Sequence, residues 1–156
     1  MQSHEVLLRE MESLQQMPDE LIRWLADHTA VTSFSRGEVL IEEGTSTRNC
    51  YFIISGETDV LFEGRSLGPT GAGQPEGEMA MFFRQPRSAT TVANSDTVTV
   101  LDLPAAAFDE LQRTNPELSN RFQAELLSYL ERARGITSSD AQDRARRTTA
   151  DPDPET

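Results

Sequence analysis

One stretch concentrates the residues able to do chemistry: Gly73 to Thr90, with Glu76, Gly77 and Glu78 at its centre and Pro86, Arg87 and Ser88 near its end. Gly77 has no side chain, so a backbone there can come close to a ligand. Glu78-Met79-Ala80-Met81 reads as one helical turn. The first N–H groups of such a turn have no acceptor within the helix, and with the helix dipole they favour an anion. Arg87 adds a planar, two-pronged donor suited to phosphate. Glu78 is itself negative and cannot hold a phosphate, but it can accept a hydrogen bond from a sugar hydroxyl beside one. A carboxylate for a ribose and an arginine for a phosphate together point to a nucleotide.

In register with these residues, the stretch resembles the phosphate-binding cassette of cyclic nucleotide-binding domains, as found in kinase regulatory subunits, cyclic-nucleotide-gated channels and the catabolite activator protein. Gly77, Glu78, Ala80, Pro86, Arg87, Ala89 and Thr90 fall on the cassette pattern Gly-Glu-x-Ala, then six intervening residues ending in Pro, then Arg-x-Ala-Thr. Glu76 departs from it, because the family usually has an aromatic or apolar residue there. The resemblance implies a ligand-binding set of Gly77, Glu78, Met79, Ala80, Arg87, Ser88 and Ala89. It implies cyclic AMP as ligand, with cyclic GMP as the alternative, and no cofactor. Ser88 leans the choice to adenine, since serine follows the cassette arginine in bacterial cyclic AMP receptors.

The elements that must hold this stretch are legible as an all-β unit between helices. From Val31 the chain changes to short strands broken by glycines. Phe34 to Ile41 reads as strand, turn, strand, and Glu42 to Asn49 as a polar loop. Tyr51 to Ile54 reads as a buried strand, with Ser55-Gly56-Glu57 as a tight hairpin turn into Thr58–Phe62. Glu63-Gly64 turns again. After the cassette, Ser88–Ala93 and Thr97–Leu103 are β-branched runs joined by Asn94-Ser95-Asp96. Evenly spaced short strands with glycine turns predict a mainly β jelly roll or β-barrel. The resemblance covers roughly residues 17 to 134.

Helices flank the strands. Val6, Leu7, Met11 and Leu14 have helical spacing over residues 3 to 16, with Ser3 placed to start the helix, and a second helix runs from Asp19 to Ala26. Pro104 ends the strands, Ala105–Arg113 forms a short helix, and Asn115-Pro116 starts a long one. Leu118, Phe122, Leu126, Tyr129 and Leu130 recur along its face. In the family this last helix is a lid over the base, which makes Phe122, Leu126 and Tyr129 lid candidates. It also offers a homodimer contact. The expected organisation is an N-terminal helix at 1–16, a cyclic nucleotide-binding domain at 17–134 and a disordered tail at 135–156.

Composition bounds the remaining classes. The net charge is −12, of which the last 21 residues supply only −2. A body carrying about −10 repels nucleic acid and anionic membranes, and no helix-turn-helix follows the long helix, so DNA binding by this chain alone is not expected. All basic residues are arginine. Cys50 is the single cysteine and sits in an apolar strand, which suits a small core residue and a reducing compartment. No run approaches the roughly 20 apolar residues of a membrane span, and a cytoplasmic location is expected. The two histidines, His4 and His28, both precede the strands. They leave the strands neither a metal shell nor a base to activate a nucleophile, so an enzyme is not expected. The reading is therefore a non-enzymatic cyclic nucleotide receptor that signals to an unidentified downstream protein by movement of its lid helix. The alternative is a fold of the same kind kept as a protein-interaction module.

Overall fold

The computed structural model describes residues 2–134. The N-terminal helices are α1 (His4–Arg9) and α2 (Asp19–His28), with a 3-10 turn at Glu12–Leu14 between them. Strands β1 (Ala30–Ser35), β2 (Val39–Ile41), β3 (Cys50–Ser55), β4 (Glu57–Phe62), β5 (Arg65–Gly71) and β6 (Pro75–Glu76) lead to the short helix α3 (Glu78–Phe83). Strands β7 (Thr90–Ala93) and β8 (Thr97–Leu103) and helices α4 (Ala105–Thr114) and α5 (Pro116–Arg134) follow. The tail expected at 135–156 lies outside the described residues.

The strands form two antiparallel four-stranded sheets, ordered β1-β8-β3-β6 and β2-β7-β4-β5. The result is a jelly roll of two sheets rather than one closed barrel. β3 and β8 contribute to both cores, which explains the continuous apolar run Cys50–Ile54 of β3 and the apolar residues on both faces of β8. Alternate residues face opposite sides of a strand. Cys50, Phe52, Leu101 and Leu103 thus join the helices, while Tyr51, Ile53, Val98 and Val100 lie in the cluster shared with Leu40 and Ile41.

Ser55-Gly56-Glu57 is not a hairpin. β3 and β4 belong to different sheets, and the chain crosses between them at Gly56. This residue has φ +90°, and a Cβ would meet Thr97 O at 2.5 Å. The crossings from β1 to β2 and from β7 to β8 stack on the same corner, where Gly37 N donates to Ala93 O at 2.9 Å and Asn94 N to Glu57 O at 2.8 Å. A glycine marks a change of direction, but the long-range partners decide whether it closes a hairpin or carries the chain to another sheet. The local hairpin is the one at Glu63-Gly64, where β4 pairs with β5.

The helix expected over 3–16 is shorter. Ser3 caps α1 by accepting from Val6 N at 3.2 Å, but α1 ends at Arg9 and Val6 is exposed. Gln15 Nε2 donates to Arg9 O and Met11 O, closing the bend. That bend turns Leu8, Met11 and Leu14 into one core with Leu21, Leu25, Phe108, Phe122 and Leu126. Burying these side chains in the core outweighs the unbroken helical spacing of the sequence. Asn115 caps α5 through Oδ1, which accepts from Leu118 N at 3.1 Å.

Candidate functional site

β6 brings the cassette to the sheet. Glu76 pairs with Tyr51 of β3, and the chain then turns at Gly77, whose φ of +85° is open to glycine but strained for other residues. α3 starts at Glu78 and ends at Phe83, with Arg84 as its cap at a φ of +53°. Residues 85–89 return to β7. The turn and return enclose a cleft of about 150 Å³. Gly77 through Ala80 form part of its lining, Arg87 through Ala89 another part, and Val60, Phe62 and Leu67 of the β4–β5 hairpin an apolar part. The seven residues expected to bind ligand therefore share one cavity.

Arg87 is 2% exposed. Its Nε donates to Thr47 Oγ1 at 3.0 Å, its Nη1 to Gly77 O at 3.0 Å, and its Nη2 to Asn49 O at 2.7 Å and Asn49 Oδ1 at 3.0 Å. These bonds use four of the five guanidinium donors, and all four acceptors are neutral. Burial pulls the Arg87 pKa below its ordinary value, the Arg48 charge adding to this while Glu78 opposes it. The backbone of Arg87 is also fixed, by Arg87 N to Thr45 O and Gly44 N to Arg87 O, each at 2.8 Å. The fork is thus held from the loop at 42–49 rather than projecting into open space.

Glu78 is buried on the cavity wall at the first position of α3, where a carboxylate suits the helix dipole. Glu76 is also buried on that wall and accepts a hydrogen bond from the hydroxyl of Thr58, itself fully buried. Cys50 lies nearby with no exposure. Burial, with the Glu78 charge adding to it, pushes its thiol well up, which keeps it a neutral core group.

Phe122, Leu126 and Tyr129 are not on the cavity wall. Phe122 and Leu126 have no exposure, and Phe122 packs on Phe82 and Phe108 with ring centroids 5.4 Å and 6.0 Å apart. Tyr129 lies over the 3-10 turn, beside Glu12 and Ser13, and its hydroxyl accepts from Gln74 Nε2 at 2.7 Å. In this conformation α5 docks on the N-terminal segment, and its apolar stripe is core.

Several residues of the site have no signal in the sequence pattern. Thr47 and Asn49 hold Arg87, and both belong to a stretch that reads only as a polar loop. Arg48, between them, donates to Ala80 O and Met81 O of α3 and forms a two-pronged ion pair with Asp109 of α4, both contacts at 2.9 Å. Arg84 reaches the same carboxylate at 3.0 Å. The available clue was the density of hydrogen-bonding side chains directly before a buried strand. Among the described residues no group of three or more histidine, cysteine, aspartate or glutamate side chains could hold a metal ion, and no helix is long and apolar enough to cross a membrane.

Comparison with known proteins agrees with this geometry. A family model described as the cyclic nucleotide-binding domain matches residues 31–115. The cAMP-dependent protein kinase regulatory subunit of Debaryomyces hansenii is 31% identical over 116 residues, covering 72% of this chain and 25% of the subunit. The chain thus spans about a quarter of that relative's length. Among solved structures, a cyclic nucleotide-binding domain from Methylobacillus flagellatus superposes with a TM-score of 0.69 at 23% identity, covering 99% of this chain and 83% of that one. The regulatory domain of Toxoplasma gondii PKA with cAMP gives a TM-score of 0.66 at 19% identity, covering 78% of this chain and 48% of that one. With the cassette residues gathered in one cleft of a jelly roll and the family model spanning more than half of the sequence, the chain belongs to the cyclic nucleotide-binding domain family.

Proposed function

We propose that the chain is a cyclic nucleotide receptor that prefers cyclic AMP and acts, without catalysis of its own, on a separate downstream protein in the cytoplasm. The observation that carries this reading is Arg87: a guanidinium 2% exposed, on a cavity wall, whose four hydrogen bonds all go to neutral oxygens. A buried charge is costly until an opposite charge joins it, and a cyclic phosphate supplies one. The first-turn amides of α3 and the Ser88 hydroxyl add donors to the phosphate. Glu78 accepts from the ribose hydroxyl, and the base lies on Val60, Phe62 and Leu67. The likeness to regulatory subunits of cAMP-dependent kinases supports a cyclic nucleotide as the ligand, and the preference for cyclic AMP rests on Ser88.

Transmission needs elements that feel both the cassette and α5. Arg48 joins the carbonyl end of α3 to Asp109 of α4, and Gln74, three residues before Gly77, holds Tyr129 of α5. A phosphate that draws Arg87 and α3 inward pulls on both connections. A ligand shifts such an equilibrium only by its differential affinity for the two arrangements, ordinarily ~1–3 kcal/mol.

A second reading, an interaction module without nucleotide binding, is favoured by the same guanidinium: its donors are already engaged by Thr47, Asn49 and Gly77 without any ligand. Calorimetric titration with cyclic AMP, cyclic GMP and linear AMP separates the two. Saturable binding of cyclic AMP, weaker for cyclic GMP and weakest for the linear nucleotide, is expected. No heat from any of the three contradicts the receptor reading.

A further inference from the structure

Thr47, Arg48 and Asn49 are consecutive, yet they divide their bonds between two places. Thr47 and Asn49 accept from the Arg87 guanidinium, Nε donating to Thr47 Oγ1 and Nη2 to Asn49 O and Oδ1. Arg48, between them, serves other elements. Its Nε donates to Ala80 O at 3.1 Å and its Nη2 to Met81 O at 2.8 Å, both carbonyls of α3. Its Nη1 and Nη2 also grip the two carboxylate oxygens of Asp109 on α4. Arg48 does not line the cavity, and two guanidinium groups, being donors only, cannot bond to each other.

The one further acceptor of Arg87 is Gly77 O, directly before α3. Every group that holds the Arg87 fork is therefore either next to Arg48 in the chain or at the start of the helix whose carbonyls Arg48 holds. α3 has only six residues, too few to persist without support from outside. No side chain caps its start, and at its other end the backbone N–H of Arg84 closes onto Ala80 O. Arg48 adds a charged donor to that end, where the helix dipole favours a cation. A planar fork can span two carbonyls and a carboxylate together, which a lysine ammonium cannot.

We propose that Arg48 is a positioning residue of the phosphate site: by tying residues 47–49 to α3 and α4 it fixes the acceptors of Arg87, and so sets cyclic phosphate affinity from outside the cavity. The inference rests on the receptor reading above and adds to it the group that holds the phosphate-binding cation in place. Asp109 is the counter-ion that keeps Arg48 there.

The test is a cyclic AMP titration of the unaltered protein, Arg48→Met, Arg87→Lys and the double variant. Arg87→Lys keeps a charge in the cavity, and so a measurable affinity, but cannot be held by all of these acceptors at once. Arg48→Met is expected to weaken binding about fivefold or more in the otherwise unaltered protein. In the Arg87→Lys background the same substitution changes affinity by less than about twofold, because its effect passes through the Arg87 fork. Arg48→Lys, which keeps the charge without the fork, is intermediate. A residue that served stability alone would lower the unfolding midpoint in both backgrounds and leave affinity untouched. Unchanged affinity in Arg48→Met, or an equal loss in the two backgrounds, overturns the proposal while leaving the receptor reading intact. Failure of cyclic AMP to bind the unaltered protein overturns the receptor reading, and this proposal with it. If the Met variant does not fold, Arg48→Lys in the two backgrounds makes the same comparison.

Discussion

The guanidinium of Arg87 and the carbonyl of Gly77 are in direct contact, Nη1 donating to the oxygen at 3.0 Å. The turn that begins the cassette and the cation that ends it are therefore one unit. A Cβ at position 77 would lie 2.5 Å from Nη1 and 2.9 Å from Asn49 O, at a φ of +85°. Gly77→Ala is expected to displace the guanidinium, lowering cyclic nucleotide affinity at least tenfold. The left-handed backbone adds a stability loss of about 1–2 kcal/mol. Denaturant unfolding and titration of the same variant check the two effects, and full affinity in it would break the link between turn and cation.

Asp109 gives a pH dependence of known sign. Hydrogen bonds from Arg48, reinforced by the charges of Arg48 and Arg84, hold its carboxyl below the ordinary value of 3.8. The folded pKa is lowered, so the ion pair's contribution is fully present above the unfolded value and is lost as pH falls through the folded one. Stability is expected to fall with acid below about pH 4, and Asp109→Asn to remove that component of the slope. Chemical denaturation at a series of pH values in both proteins measures it. Identical slopes would mean that Asp109 does not hold α3 against α4.

Phe122 is expected to behave first as a core residue. It has no exposure and touches two aromatic rings. Phe122→Ala should cost about 3–5 kcal/mol of stability. An effect below about 1 kcal/mol would show that α5 is not docked as described.

Movement of α5 is a separate expectation. Tyr129 is held by Gln74, so rearrangement of the cassette should reach the helix. On adding cyclic AMP, amide exchange should slow from Phe122 to Tyr129 together with residues 77–90. Slowing confined to the cassette would leave a rigid sensor without a moving output.

What could be read from the sequence was what is local along it. Gly77 to Thr90 carries its chemistry in consecutive residues, so the cavity lining was legible. The corner at Gly56 was legible as a turn but not as a sheet crossing, because its steric partner, Thr97, lies far along the chain. The stripe Phe122, Leu126, Tyr129 was legible as an apolar face. Periodicity does not say whether such a face meets a ligand, a partner or, as here for Phe122 and Leu126, the helical core around Leu8 and Phe108. Thr47 and Asn49 had only a run of polar side chains before β3 as a local sign, since their role comes from Arg87, which reaches them from 38 or more residues away.

The most direct test of the account is a cyclic AMP titration of the unaltered protein beside Arg87→Ala. A charge-assisted bond contributes ~1.5–3 kcal/mol, so the variant is predicted to bind roughly tenfold to more than a hundredfold more weakly while remaining folded by circular dichroism. Equal affinity in the two proteins would contradict the assignment of this cavity as a cyclic phosphate site.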